Sequence, residues 1–120
     1  MAHAYRLKRI YEPFHKDDGF RALVDRLWPR GVAKAKAHID LWLKDIAPSD
    51  ELRHRFHDKP EHWKAFIAAY EKELKSPEAE AAAALLREKH RAGTVTLLYA
   101  ARDEEHNNAV ALKDWLERHG

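Results

Sequence analysis

Two short polar segments of the sequence carry the residue types that could do chemistry. In the first segment, 25–31, the candidate residues are Asp25, Arg26, Trp28, Arg30 and Gly31. Arginine presents a planar fork of N–H donors that suits phosphate or carboxylate groups, and tryptophan offers a flat face for stacking. Asp25 directly follows the apolar pair Leu23-Val24, so we expect this carboxylate at the edge of buried space. The segment therefore indicates either an anion site or a structural turn in which Arg26 or Arg30 clamps Asp25.

The second segment, 99–107, leads from a predicted strand into a predicted helix. Its candidate ligand-binding residues are Tyr99, Arg102 and Asn107. Backbone N–H groups at the start of a helix favour an anion. His106 is the side chain of this segment that titrates near neutral pH, so His106 and Asp25 are the candidate catalytic residues for proton transfer. The simpler alternatives are that Asp103 caps the helix and that His106 is a surface residue.

Three histidines near one acid raise the possibility of a metal site: His54, His57, His62 and Asp58. The first two are three positions apart on a predicted helix and could face one ion. However, no H-E-x-x-H motif is present, a helix break separates the third histidine, and long basic neighbours would repel a cation. The sequence also lacks cysteine, G-x-G-x-x-G and the P-loop pattern. We therefore predict no metal and no cofactor.

The hydrophobic pattern predicts a fold that brings the two polar segments together. Stretches rich in branched and aromatic residues predict strands near 5–11, 21–27 and 94–101. The last stretch carries no charge, which is typical of a strand in the middle of a sheet covered on both faces. We predict an α/β fold, with a small, mostly parallel, three-stranded sheet wrapped by about five helices. Ligands of such sheets sit beyond the carboxyl ends of the strands, so we expect both segments to line one cleft.

Helix signals occupy the middle and the end of the chain. A helix is predicted by the apolar residues that recur at helical spacing, Ile39, Trp42, Leu43 and Ile46. Ser49 and Ser76 are predicted N-caps of two further helices. Between them, an apolar stripe over 63–74 predicts the clearest helix of the chain, and a final helix is predicted over roughly 104–118.

Composition limits the class of protein and its partners. The chain has 120 residues, with 22 Lys+Arg against 20 Asp+Glu and no Cys, which predicts a single domain over 1–120. It has no apolar run of membrane-spanning length and no signal-peptide core, so we expect a cytoplasmic protein with no membrane partner. The net charge of +2 is too small for a long-range basic field. Basic residues nevertheless concentrate in 21–36, which could receive an anion.

Longer strings of the sequence resemble one bacterial family. The strings are Ile10-Tyr11-Glu12-Pro13, LVDRLWPRG at 23–31, WLKDIAPS at 42–49 and TVTLLYAARD at 94–103. They span nearly the whole chain in the expected order, so the chain is identified as a member of the DUF488 family of unknown function, in its YeaO-like branch. The resemblance implies a small α/β domain with no established activity. Some distant members carry Cys and His in the last strand-to-helix loop. Because this chain has His106-Asn107 there and no Cys, thiol chemistry does not carry over.

Three functions stay open, and the sequence does not decide whether the protein is an enzyme. The first is binding of, or action on, a small anionic or nucleotide-like ligand, with arginines on the anion and Trp28 or Tyr99 stacking. The second is nucleic-acid binding through 21–36, with Trp28 as a stacking platform. The third is a partner-binding or structural module, in which the four tryptophans and the apolar helix faces form a homo-oligomer or docking surface.

Overall fold

Four parallel strands form the sheet at the centre of the computed structural model, which describes residues 4–57 and 59–119. The strands are β1 (Tyr5–Arg9), β2 (Phe20–Leu23), β3 (Leu41–Trp42) and β4 (Val95–Tyr99). Their order across the sheet is β1-β4-β2-β3. β4 pairs with β1 on one side and β2 on the other, and all five of its residues are buried. Its uncharged sequence reflects this central position.

Five α-helices occur in the described part of the chain. They are α1 (Lys34–Ala37), α2 (Asp50–Phe56), α3 (Trp63–Glu73), α4 (Pro77–Ala92) and α5 (Asn108–His119). Ser49 and Ser76 cap α2 and α4, because their hydroxyl oxygens accept the N–H of Leu52 and Ala79, each at 3.2 Å. The predicted α/β class, with a mostly parallel sheet and about five helices, is confirmed. No helix in the described ranges has the length and hydrophobicity to span a bilayer.

The helix predicted around 39–46 is wrong, because this stretch forms β3 followed by a 3₁₀ turn over Lys44–Ile46. The backbone N–H of Asp40 donates to Arg21 O at 2.8 Å, and that of Leu43 donates to Leu23 O at 2.9 Å. The Asp40 carboxylate also accepts the Arg21 N–H at 2.8 Å. These bonds satisfy the outer edge of β2, which a helix here would leave unpaired. The predicted three-stranded sheet therefore gains a short fourth strand.

The two faces of the sheet are covered by different parts of the chain. On one face, Ala22 and Leu97 belong to the main core, which includes buried residues of α3, α4 and α5. On the other face, Leu23 and Leu98 pack with a smaller cluster that includes Trp28, Val32, Ile39 and Trp42. Alternate residues of a strand point to opposite faces, so neighbours in β2 and β4 divide between the two cores. The segment after β2 therefore covers the second face, while the buried residues of the three long helices belong to the core on the first.

Polar loops follow the carboxyl ends of β2 and β4. β2 is shorter than the predicted 21–27, although Val24 N–H still donates to Leu98 O at 3.1 Å. At the next position the side chain of Asp25 takes the place of its backbone. Its carboxylate accepts the backbone N–H of Ala100, the residue that follows β4. The indole N–H of Trp42 donates to the backbone oxygen of Asp25 at 2.7 Å, which holds the loop after β2 against β3.

Candidate functional site

A cleft of about 790 Å³ opens at the carboxyl edge of the sheet. Among the candidate residues from the sequence, those that line it are Asp25, Arg26, Trp28, Arg102, His106 and Asn107. The segment after β2 and the segment after β4 thus meet in one cavity. A further wall comes from α2, the start of α3 and the connection between them.

Three other candidate residues lie outside the cleft. Arg30 is exposed, and its backbone oxygen accepts the Tyr11 hydroxyl at 3.1 Å. Gly31 has a φ of +77°, a conformation that glycine adopts without strain, and it is not among the residues that line the cleft. Tyr99 is only 3% exposed and packs in the main core. The alternation along β4 directs its ring to the helix-covered face, where its side chain hydrogen-bonds Asn107.

Asp25 lies half-buried in the wall of the cleft, where two N–H donors hold its carboxylate. Oδ2 accepts the backbone N–H of Ala100 at 2.9 Å, and Oδ1 accepts the side-chain amide of Asn108 at 3.1 Å. The same amide donates to Val24 O at 2.9 Å, so Asn108 links the start of α5 to the end of β2. Burial raises the pKa of Asp25, while the hydrogen bonds from Asn108 and Ala100 and the charge of Arg53 oppose that rise.

The expected clamp between Asp25 and an arginine is wrong. Arg26 turns its guanidinium to the carbonyl oxygens of Pro48 and Ala47, at 3.0 and 3.2 Å. These carbonyls precede α2 and need donors from outside the helix, which the planar fork supplies. Arg30 stands on the exposed turn. Within the described residues, Asp25 therefore has no ion-pair partner.

The loop before α5 is organised by its own polar side chains. Asp103 Oδ1 accepts the N–H groups of Glu105 and His106 at 2.9 and 3.0 Å, and these bonds lower the pKa of Asp103. Its Oδ2 lies 3.1 Å from Nδ1 of His106. The imidazole of His106 is thus oriented by a carboxylate, which helps to position its ring in the cleft wall.

The N-cap of α5 is Asn107, and the prediction that Asp103 caps this helix is wrong. Asn107 Oδ1 accepts the N–H of Val110 at 2.9 Å, and its amide donates to Asp103 O at 2.9 Å. α5 therefore begins at Asn108, later than predicted. Both ends of the Asn107 amide are engaged in this cap, so its contribution to the cleft is to fix the helix start.

An aromatic wall, missed in the sequence, lies between α2 and α3. It consists of Phe56, Trp63 and Phe66, which are all half-buried. The rings of Trp63 and Phe66 stack with centroids 5.5 Å apart, and Trp63 meets His106 edge-on at 5.3 Å. The apolar stripe over 63–74 predicts α3 but does not reveal that the first turn of the helix faces a cavity. The basic residues that flank the aromatic wall, Arg53 and Lys59, were the feature of the sequence that could have indicated a polar cavity beside it.

Basic side chains outnumber acidic ones among the described residues that line the cleft. The basic residues are Arg26, Arg53, Lys59 and Arg102, and the acidic ones are Asp25 and Asp103. Arg53 pairs with Asp50 at 3.0 Å. Lys59 and Arg102 are exposed, and within 4–57 and 59–119 their side chains form no ion pair or hydrogen bond. We call these two exposed cations the cleft mouth.

A family model described as the inactive DUF488-N3 subclade matches residues 4–119. The chain belongs to the DUF488 family. It is 42% identical over 109 residues to the uncharacterized protein YeaO of Escherichia coli (strain K12), covering 91% of this chain and 93% of that protein. It is 40% identical over 111 residues to the uncharacterized protein Rv3073c of Mycobacterium tuberculosis (strain ATCC 25618 / H37Rv), covering 92% of each. No solved structure matches this chain.

The resemblance drawn from the sequence strings is therefore confirmed, including the YeaO-like branch. The family match spans both polar segments and α2–α3, so every wall of the cleft lies within the DUF488 region. In the described part of this DUF488 protein, no three His, Asp or Glu side chains are grouped to hold a metal ion. Asp58, which the sequence placed near the three histidines, lies outside the described residues.

Proposed function

We propose that the cleft binds a small anionic ligand that carries a planar group, as a nucleotide does. The observation that carries the proposal is the meeting, in one cavity, of the exposed cations of the cleft mouth with a half-buried aromatic wall. Binding without turnover fits the description of the matching family model as inactive.

The cleft mouth supports the anionic part of this proposal. Arg102 follows β4 and Lys59 follows α2, so the two cations reach the cavity from different elements. Two basic groups from different elements can contact one phosphate or carboxylate, and the arginine fork can donate two parallel hydrogen bonds to it. Binding would neutralise side chains that have no partner among the described residues.

The aromatic wall supports the planar part of the proposal. Trp63 and Phe66 stack on each other and remain only half-buried, so each keeps surface for a ligand. Trp28 lines the same cavity, with its indole N–H already donated to Val32 O at 2.7 Å. Its remaining surface is apolar and suits stacking better than hydrogen bonding.

Proton transfer by Asp25 and His106 is the second candidate activity. Both side chains line the cleft, and the raised pKa of Asp25 brings this carboxyl closer to the range of a general acid. Nδ1 of His106 is taken by Asp103, so Nε2 is the ring atom that would exchange a proton. The inactive description of the family model favours binding over this activity.

The two other functions left open by the sequence have less support. In the basic stretch 21–36, Arg21 is buried in an ion pair with Asp18, and Arg26 donates to carbonyl groups. A nucleic acid would therefore meet a smaller charge than the sequence indicates. None of the four tryptophans is exposed, which weakens the case for an aromatic docking surface.

The proposal is tested by calorimetric titration of the protein with inorganic phosphate and with nucleoside monophosphates. Replacing Arg102 with Ala is expected to weaken binding by about tenfold or more, the usual cost of losing a charge-assisted contact. Arg30→Ala is the matched control, because it removes the same charge from the neighbouring turn outside the cleft. Equal loss in both variants, or no binding by the parent protein, would contradict the proposal.

A further inference from the structure

We infer that Asp25 selects, among the anionic ligands of the cleft, those whose planar group presents two adjacent N–H donors, as guanine does. This inference rests on the proposed function, since it concerns the other end of the same ligand. It assigns Asp25 a specificity-determining role in binding.

The hydrogen-bonding capacity of Asp25 is only half used. Each carboxylate oxygen can accept two hydrogen bonds, and here Oδ1 has the Asn108 amide and Oδ2 has the Ala100 N–H. Each oxygen therefore keeps one acceptor position, and both oxygens belong to one planar group. A half-buried carboxylate with unused acceptors and no ion-pair partner in the described chain is completed by donors from solvent or from a ligand.

Among the described residues, Asn108 and Ala100 are the hydrogen-bond donors to this carboxylate, and the charge of Arg53 acts on it without a hydrogen bond. The indole N–H of Trp28 goes to Val32 O, and that of Trp42 goes to the backbone oxygen of Asp25 itself. Arg26 directs Nε and Nη2 to Pro48 and Ala47. The complementary donors must therefore come from the cavity.

The carboxylate is also held in place before any ligand arrives. Ala100 directly follows β4, and Asn108 is the first residue of α5, so a residue beside the central strand and a helix start fix its position. Asn108 is itself anchored by its bond to Val24 O. A group held in this way loses little freedom on binding, which favours a geometrically specific contact.

The distribution of charge sets the orientation of the ligand. A negatively charged group is repelled by Asp25 and attracted to the cleft mouth. The anionic group of a ligand would therefore lie at the cleft mouth, and its N–H-bearing group would lie at Asp25. Guanine presents N1–H and its 2-amino group next to each other, a pattern that fits the two free acceptor positions of a carboxylate. The aromatic wall would then contact the face of the same base.

The test compares four probes by calorimetric titration: GMP, IMP, AMP and inorganic phosphate. IMP lacks the 2-amino donor, and AMP has an acceptor at N1. We expect the parent protein to bind GMP about tenfold more tightly than IMP, the usual effect of one hydrogen bond to a charged group. In Asp25→Asn, one acceptor becomes a donor, so the GMP preference should disappear while phosphate still binds.

A second measurement keeps the inference falsifiable if Asp25→Asn fails to fold, which circular dichroism would reveal. The 1-methyl derivative of GMP lacks the N1–H donor and should bind the parent no better than AMP. Equal binding of GMP and IMP, or a GMP preference that survives in Asp25→Asn, overturns the inference and leaves the proposed function intact. Phosphate binding with no nucleotide binding overturns the inference and the planar part of the proposal. No binding of any probe overturns both.

Discussion

Asp18 and Asp25 lie just beyond opposite ends of β2 and meet opposite electrostatic environments. Asp18 is 4% exposed, forms an ion pair with Arg21 and lies 3.0 Å from Nζ of Lys8. Burial acts to raise its pKa, but the hydrogen bonds from Lys8, His15 N–H and Arg21 hold the pKa below its usual range. Asp25 has no cation bound to it among the described residues, and burial raises its pKa. The first carboxylate is paired with cations of the fold, and the second is held by an amide and a backbone N–H.

At the amino edge of the sheet, the polar groups around Asp18 bond to one another. The Thr96 hydroxyl donates to Asp18 O at 2.6 Å, and Arg21 Nε donates to His38 O at 2.9 Å. Gly19 has a φ of +66°, and a Cβ there would lie 2.2 Å from Thr94 O, so only glycine fits. At this edge the polar groups satisfy one another. At the carboxyl edge they are divided between the protein and a cavity.

The largest expected effect is on the free energy of unfolding, which Asp18→Ala should lower more than Asp25→Ala. Removing Asp18 leaves the Arg21 guanidinium buried without its counter-charge, and breaking a buried pair in this way costs about 3–5 kcal/mol. Removing Asp25 leaves the donors of Ala100 and Asn108 unsatisfied at a site that water can reach, for a cost of about 1–2 kcal/mol. Urea denaturation of both variants measures the difference. Similar losses in the two would show that Asp25 is also a structural carboxylate.

The second expected effect is that the two aspartates stabilise the fold in opposite pH ranges. The folded pKa of Asp18 lies below the ordinary value of 3.8, so its contribution is present above that pH and is lost as the pH falls through the folded pKa. The folded pKa of Asp25 lies above 3.8, so its contribution is complete below that pH and is lost as the pH rises through the folded pKa.

Melting temperatures of the parent, Asp18→Asn and Asp25→Asn between pH 3 and pH 7 measure these two contributions. The deficit of a variant is the melting temperature of the parent minus that of the variant at the same pH. The deficit of Asp18→Asn should grow with pH, and that of Asp25→Asn should shrink. Two deficits that change in the same direction would contradict the assigned pKa shifts.

The smallest expected effect concerns the second cation of Asp18. Lys8 has a side chain that is 17% exposed, and Arg21 still pairs with Asp18 when Lys8 is replaced. We expect Lys8→Met to cost less than about 1 kcal/mol while the pKa of Asp18 rises, as followed by NMR titration. Lys113→Met, which removes an exposed pair with Glu117, is the matched control. A loss as large as that of Asp18→Ala would mean that Lys8, rather than Arg21, neutralises this carboxylate.

The parts of the fold that the sequence predicts correctly are those with local causes. Ser49 and Ser76 cap the helices that follow them, and the uncharged stretch at 94–101 contains the central strand. A cap involves atoms three residues apart, and a fully buried strand needs only apolar residues. The error at 39–46 has a different cause. The stretch has helical spacing, but β2 offers an unpaired edge that becomes visible only once the sheet is assembled.

The candidate site shows the same division. The sequence by itself determined the α/β class, the membership of DUF488 and the two polar segments, because periodicity, capping and motif strings are properties of neighbouring residues. Only the tertiary structure decided which side chains reach the cleft and which groups donate hydrogen bonds to Asp25. Its donors, Ala100 and Asn108, are 75 and 83 positions away along the chain. Bonds over that separation depend on how strands and helices pack, so the expected arginine clamp gave way to a carboxylate held by a backbone N–H and an amide.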